Sequence, residues 1–315
     1  MKKGSRTLFI LLQLFGALIW GLAFAFQSIG MEHTGPFTFS AARFMLATVV
    51  VFGFSVFTDA GRKRASKKAG DMHPDEETDR SWRSPGLWKT GIAIGILLSL
   101  ASNLQQLGIL YTDSVGKAGF ITAMYIVLVP LFGIFMKKKI RPVVWAGVLL
   151  SVLGLYFLTM NGSFSFSVGD ILLMACAVAF AVQILAIDSG SRKYDNVKLA
   201  CIEFLTVSVT SGAVMLATEA PDPASIMAAA VPIIYAGVFS GGVAYTIQIV
   251  CQSRLEAATA SILMSCEALF CVLGGYVILH QKLSFREMLG SLFMFAAILL
   301  VQAFPPKERL KAETG

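Results

Sequence analysis

PFTFSAARF (Pro36–Phe44) set beside NVKLACIEF (Asn196–Phe204) decides the fold of this chain, because the two stretches read as copies of one another. The pairing places Arg43 opposite Glu203. At the same offset LFGALIWGLAFAFQSIG (Leu14–Gly30) faces MACAVAFAVQILAIDSG (Met174–Gly190). Further along, SLASNLQQLGI (Ser99–Ile109) sits on GGVAYTIQIVC (Gly241–Cys251) and pairs Gln106 with Gln248. Gly91/Gly95 and Gly237/Gly241 recur at related positions, and such small-residue pairs let helix backbones approach closely. Beyond that point the register slips by about one residue, so that Glu267 faces Tyr125 or Met124.

The repeated unit is built for a bilayer. A mean hydropathy of +0.72, 56% hydrophobic residues and 14% charged residues exclude an ordinary soluble domain. A helix rising about 1.5 Å per residue needs about 20 apolar residues to cross the hydrocarbon core. Ten runs approach that length: 8–29, 36–57, 88–110, 115–136, 142–160, 170–190, 197–217, 230–250, 257–279 and 285–304. Each copy holds five of them, an odd number, so the second copy lies upside down relative to the first. The expected fold is an all-α integral membrane protein of ten transmembrane helices in two inverted five-helix repeats, residues 1–160 and 161–315. An inverted repeat is the sequence mark of alternating access.

Charge placement supplies the orientation. With ten spans both termini share a side, and all but Arg43, Lys117, Lys282 and Arg286 of the 26 lysines and arginines fall on it. Lysine and arginine resist translocation, so both termini are expected to be cytoplasmic in a multi-pass protein of the cell membrane. The net charge of +7 is a topology signal, and nucleic acid is not an expected partner. The first run has a basic head, but its length and its counterpart in the second half make it a span, not a cleaved signal. Cys176, Cys201, Cys251, Cys266 and Cys271 lie in or at the ends of apolar runs with no CxxC, and read as free thiols. The polar segment 58–86 is expected to be a solvated cytoplasmic linker whose RKRASKK stretch could meet anionic lipid.

Several stretches together resemble the ten-helix EamA-type members of the drug/metabolite transporter superfamily, over roughly residues 8–304. They are ALIWGLAFAF (Ala17–Phe26), AARF (Ala41–Phe44), VGKAGFITAMYIVLVPLFG (Val115–Gly133), Gly169-Asp170 and AATASILMSCEALF (Ala257–Phe270). The chain departs from the family pattern at Lys137-Lys138-Lys139 and His280-Gln281-Lys282, where members often carry Gly-Glu, and in the long 58–86 segment. The resemblance implies a pseudosymmetric bundle whose central cavity is lined mainly by spans 1, 3, 4, 6, 8 and 9.

Charge at bilayer depth costs roughly 2.5–3.5 kcal/mol on insertion scales, so such residues face a cavity or a partner. Glu267 lies ten residues into the ninth run, about 15 Å by helix rise and therefore near the midplane. It is the candidate for contacting a cationic group of the solute or taking up a coupling proton; the alternative is a packing glutamate bonded to Ser265 or Ser261. Lys117, after the candidate caps Thr112 and Ser114, meets either a solute carboxylate or Glu267, or else snorkels to the headgroups. Arg43 and Glu203 stand as gate or structural charges on the second and seventh spans, which the resemblance leaves peripheral. Asn103 and Gln106, three apart, share a face, as do Tyr245 and Gln248; with Gln27 and Gln183 they are cavity candidates or interhelical glue. Trp20, Tyr111, Phe120 and Tyr125 are candidates for an aromatic wall. Asp188 is read as interfacial.

His33, His73 and His280 lie in loops or at a span end, and HExxH, GxSxG and Walker-type loops are missing, which argues against a membrane enzyme and against a cofactor. What remains is a secondary transporter of small polar metabolites. Export of amino acids or related zwitterions by proton antiport leads, with exchange of anionic metabolites or broad drug efflux as alternatives.

Overall fold

A computed structural model of the chain describes residues 3–69, 81–112, 115–138, 140–159, 167–278 and 284–304, and these are helical with short connections. The first half comprises α1 (Lys3–Met31), α2 (Pro36–Ala69), α3 (Pro85–Leu110), α4 (Val115–Ala123), α5 (Tyr125–Phe135) and α6 (Pro142–Thr159). The second comprises α7 (Val168–Gly190), α8 (Asn196–Thr218), α9 (Pro223–Ala228), α10 (Ala230–Ile234), a π-helix (Tyr235–Tyr245), α11 (Thr246–Gln252), α12 (Ala257–Met264), α13 (Glu267–Ile278) and α14 (Phe285–Ala303). Among the described residues, seven helices are long and apolar enough to cross a membrane, and three shorter apolar helices lie within the remaining runs. The five cysteines are free.

The bundle turns apolar side chains outward and keeps its polar side chains within an otherwise largely apolar interior. On α1 the buried stripe Gln13, Trp20, Gln27 repeats every seven residues, whereas Leu8, Leu11 and Phe15 on the other face are exposed. Phe52, Phe57, Ile96, Leu149, Ile171, Leu216, Leu292 and Phe295 also face outward, while Ser102, Gln106, Ser151, Asp170, Glu203, Gln248 and Ser261 are wholly or almost wholly buried.

Local chemistry sets the helix ends. Ser84 caps α3 with Pro85 behind it, where a missing N–H costs nothing. Ser167 and Asp170 form a capping box at the start of α7. Asp170 also accepts from the Thr112 hydroxyl at 3.2 Å, so Thr112, expected to cap the fourth span, instead ties the end of α3 to α7. The other candidate cap, Ser114, lies outside the described residues. α2 runs to Ala69, well past the end expected at residue 57, because Lys, Arg and Ala favour helix once the chain has left the apolar zone. Residues 70–80 of the expected linker lie outside the described residues.

Helices α2 and α8 pack antiparallel and are clamped at both ends. Lys198 pairs with Asp59 at 2.9 Å. At the far end the Glu219 carboxylate accepts from the amides of Phe37 and Thr38 at 2.9 and 2.8 Å and from the Thr38 hydroxyl at 2.6 Å. Glu219 thereby satisfies the exposed N-terminal amides of a helix other than its own. Between the clamps, the Ser208 hydroxyl donates to the Ala41 carbonyl at 3.0 Å. Helix α3 packs on α7 and α8, and α1 packs on α13 and the π-helix.

Glycine makes two of these approaches possible. A β-carbon on Gly95 would sit 2.6 Å from Cβ of Thr206 and 2.9 Å from the Glu203 carbonyl; one on Gly237 would sit 2.8 Å from the Arg43 carbonyl. Gly53 has open space around it. Gly95→Val and Gly237→Val should each destabilise the purified protein by about 1–3 kcal/mol through overpacking. Gly53→Ala, with room for its methyl inside a helix, should instead raise the thermal unfolding temperature in detergent slightly, by the helix propensity of about 0.5–1 kcal/mol that separates alanine from glycine.

Candidate functional site

Two spans read from sequence as regular helices are divided at mid-length by a tightened turn that keeps helical dihedrals, and both turns border one cavity. The fourth span breaks at Met124, between α4 and α5. The ninth breaks at Ser265 and Cys266, between α12 and α13. Both breaks tighten to bonds of i+3 type, Met124 N to Ile121 O at 3.2 Å and Ala268 N to Ser265 O at 3.2 Å. The residue signals are legible afterwards. Ser261 and Ser265 hydroxyls donate back to the carbonyls of Ala258 and Ile262, a habit that bends helices. Pro130 cannot donate to Ile126, just past the Met124 break.

Tyr125 and Glu267 are the first residues after the two breaks, and the Tyr125 hydroxyl donates to Glu267 Oε1 at 3.1 Å. Glu267 is 6% exposed. Its partner is thus the tyrosine across the cavity, since the hydroxyls of Ser261 and Ser265 are spent on their own helix. The close fit of α1 to this break needs Gly21, whose β-carbon would lie 2.6 Å from the Glu267 carbonyl.

The cavity is a partly open recess with ≈ 420 Å³ of atom-free space, the solvent at its mouth included. Span 1 contributes Trp20, Phe24 and Gln27; the π-helix and α11 contribute Ser240, Tyr245 and Gln248; Gln105, Phe180 and Met264 complete the wall around Tyr125, Glu267 and Arg43. All six spans named by the resemblance take part, and span 2 joins them through Arg43. Trp20 packs edge-on to Tyr245 at 4.9 Å between ring centres, and its indole N–H donates to the Ser240 carbonyl at 3.3 Å. The Tyr235 hydroxyl returns the contact to the Ile19 carbonyl at 3.1 Å. These two bonds hold α1 against the π-helix, a widened turn of the kind that recurs at functional sites.

Of the residues singled out from sequence, Trp20, Gln27, Tyr125, Tyr245, Gln248 and Glu267 meet at this cavity. Asn103 does not. It donates to Ser99 and Ser211 at 3.2 and 2.9 Å and accepts from Ser211, which makes it glue between α3 and α8. Gln106 is wholly buried with neither amide atom bonded to protein, while its neighbour Gln105 reaches the wall instead. Gln183 donates to Glu203 at 2.7 Å, deep between α7 and α8. Tyr111 is exposed. The side chain of Lys117 lies outside the described residues. Phe24, Gln105, Phe180, Ser240 and Met264 were not singled out. Phe180 had a signal, since the alignment of the halves sets it opposite Trp20.

Arg43 is in the wall, 3% exposed. Among the described residues no ion pair joins it to Glu203, whose second carboxylate oxygen has no protein partner. Asp188, expected at the interface, is the centre of an ion cluster. It meets Lys138 at 2.8 Å and Arg192 at 2.9 Å beside a second, partly open recess, where Arg141 pairs with Glu256 at 3.2 Å.

The sequence profile of the EamA-like transporter family matches residues 7–160 and 167–303. An uncharacterized transporter of Archaeoglobus fulgidus is 28% identical over 290 residues, spanning 90% of this chain and 82% of that protein. A second uncharacterized transporter of the same organism is 24% identical over 297 residues, covering 91% and 94%. A solved crystal structure shares the fold with a TM-score of 0.69 at 18% identity, over 95% of this chain and 96% of that one.

The Gln183–Glu203 bond is open to a double-mutant cycle. Gln183→Met, which strips the carboxylate of its donor, should cost about 1–3 kcal/mol of stability. Replacing both residues with Met should recover most of that loss in thermal unfolding.

Proposed function

The chain belongs to the EamA-like transporter family of the drug/metabolite transporter superfamily and is a multi-pass membrane transporter, and from that premise we propose that it exports amino acids or related zwitterions by proton antiport. In this reading two inverted five-helix repeats, residues 1–160 and 161–315, rock about the cavity in the cell membrane, with both termini cytoplasmic.

Contacts between aligned residues support the inverted repeat. At the offset that sets Pro36 on Asn196, Asp59 corresponds to Glu219 and Thr38 to Lys198. The clamps join Asp59 to Lys198 and Glu219 to Thr38, the exchange that a two-fold axis demands. Phe44 and Phe204, also aligned, lie 6.0 Å apart between ring centres, and Tyr125 touches its counterpart Glu267. The packing of α3 on α7 and α8 is matched by that of the π-helix on α1 and α2.

The observation that carries the functional reading is the Tyr125–Glu267 bond, a buried carboxylate held beside the tightened turns of two spans, in the wall of the cavity. Discontinuous helices at a repeat interface are the usual seat of substrate and coupling ion. A carboxylate with one donor can exchange that donor for a solute ammonium or accept a proton, and exclusive occupancy by one or the other is what antiport requires. Gln27, Gln105 and Gln248 add amides suited to a small polar solute. The aromatic share of the wall, Trp20, Phe24, Tyr125, Phe180 and Tyr245, favours a second reading in which organic amines are the cargo.

Proteoliposomes given a panel of labelled amino acids should show uphill transport driven by an imposed pH gradient. Glu267→Gln should abolish that uphill component while the protein remains folded and monodisperse; wild-type accumulation by this variant would overturn the coupling role. A cysteine replacing Ser165 should react with impermeant reagents from the outside only. Labelling from the side of the termini would remove the inverted repeat.

A further inference from the structure

We infer that the guanidinium of Arg43 is the group that recognises the carboxylate of the transported solute, an inference that rests on the reading of this cavity as the transport site. A guanidinium carries five N–H donors and cannot shed its charge, so one buried among helices requires acceptors. Arg43 has none among the described residues: Nε is buried without a partner, and neither a hydrogen bond nor an ion pair engages the rest of the group. What holds it is aromatic. Its Cζ lies 4.8 Å from the ring centre of Phe44 and 5.7 Å from that of Phe39. Stacking offsets part of the cost of burying the cation and fixes its position, but a ring face satisfies no donor.

Its counterpart in the second half behaves differently. Glu203 is committed to Gln183 at 2.7 Å, so the equivalent acid does not neutralise Arg43. The result is a cation in the cavity wall with its donors unspent, in the same cavity as the Glu267 carboxylate. A planar fork of N–H donors matches a carboxylate by two parallel bonds, which a lysine cannot imitate. One cavity then offers an acid for the solute ammonium, a fork for its carboxylate and a rigid aromatic wall for its side chain. That is the recognition pattern of an α-amino acid, and a plain organic amine would leave the guanidinium unanswered.

The test compares matched ligands in the full chain. Amino acids compete for counterflow uptake in proteoliposomes alongside the amine lacking the carboxylate and the acid lacking the ammonium (for leucine, isoamylamine and isocaproate). Arg43→Gln should weaken the amino acid and the acid by about 10- to 100-fold and leave the amine unchanged. Arg43→Lys, which keeps charge but not the fork, should lose most of the same affinity and serves alone if the glutamine variant does not fold. Glu267→Gln should show the reverse order, sparing the acid. Equal losses for all three ligands, or none, would make Arg43 a packing residue and overturn the inference. Wild-type protein that takes amines but no carboxylates would overturn it while leaving the cavity as the transport site. Wild-type protein that transports no member of the panel would remove the zwitterion reading itself.

Discussion

Hydrocarbon offers a peptide group nothing to bond to, and this constraint organises the molecule. A helix can depart from its regular ladder at membrane depth only where protein shelters the departure. The three departures described above obey that rule: the breaks at Met124 and at Ser265–Cys266, and the π-helix from Tyr235 to Tyr245, all border the same interior cavity. Each is also repaired. Short i+3 bonds close the two breaks, and Trp20 supplies a donor to the Ser240 carbonyl. The polar side chains that accompany this irregular backbone, Gln27, Gln105, Gln248 and Glu267 among them, line the cavity and can answer to a solute as well as to the fold.

Much of this was legible in the sequence because lipid makes hydropathy a strong signal. The ten apolar runs correspond to single helices, to helix pairs or, for 230–250, to three consecutive helical segments. Run 36–57 matches the apolar span Pro36–Asp59, while the helical extension of α2 to Ala69 is built of water-loving residues that hydropathy cannot read as helix. The alignment of halves set Glu267 opposite Tyr125 or Met124, and it is Tyr125 that bonds to it. Helix rotation was not legible. Gln105 and Gln106 are adjacent and chemically identical, and only the roll of α3 against its neighbours sends one into the wall and buries the other. Asn103 carried the same composition signal as the cavity amides, yet Ser99 and Ser211 absorb it. Its fate depends on a neighbour 108 residues away, which no local pattern encodes.

Arg43 and Glu203 illustrate how a duplicated architecture specialises. Equivalent backbone positions hold opposite charges, and each is stabilised by a different device: ring faces for the cation, a single amide for the acid. Identical residues at the two positions would have carried like charges, and an ion pair between the two opposite ones would have spent both. Divergence at one pair of positions instead leaves each charge with unused capacity.

The clamps at the two ends of α2 and α8 have a mechanical corollary. Because Glu219 closes the amides that begin α2, and Lys198 meets Asp59 at the opposite extremity, neither helix can slide along the other without baring charge or N–H groups. The pair is a strut. It joins the two halves of the chain, so any displacement of one half against the other has to turn about this pair instead of sliding along it.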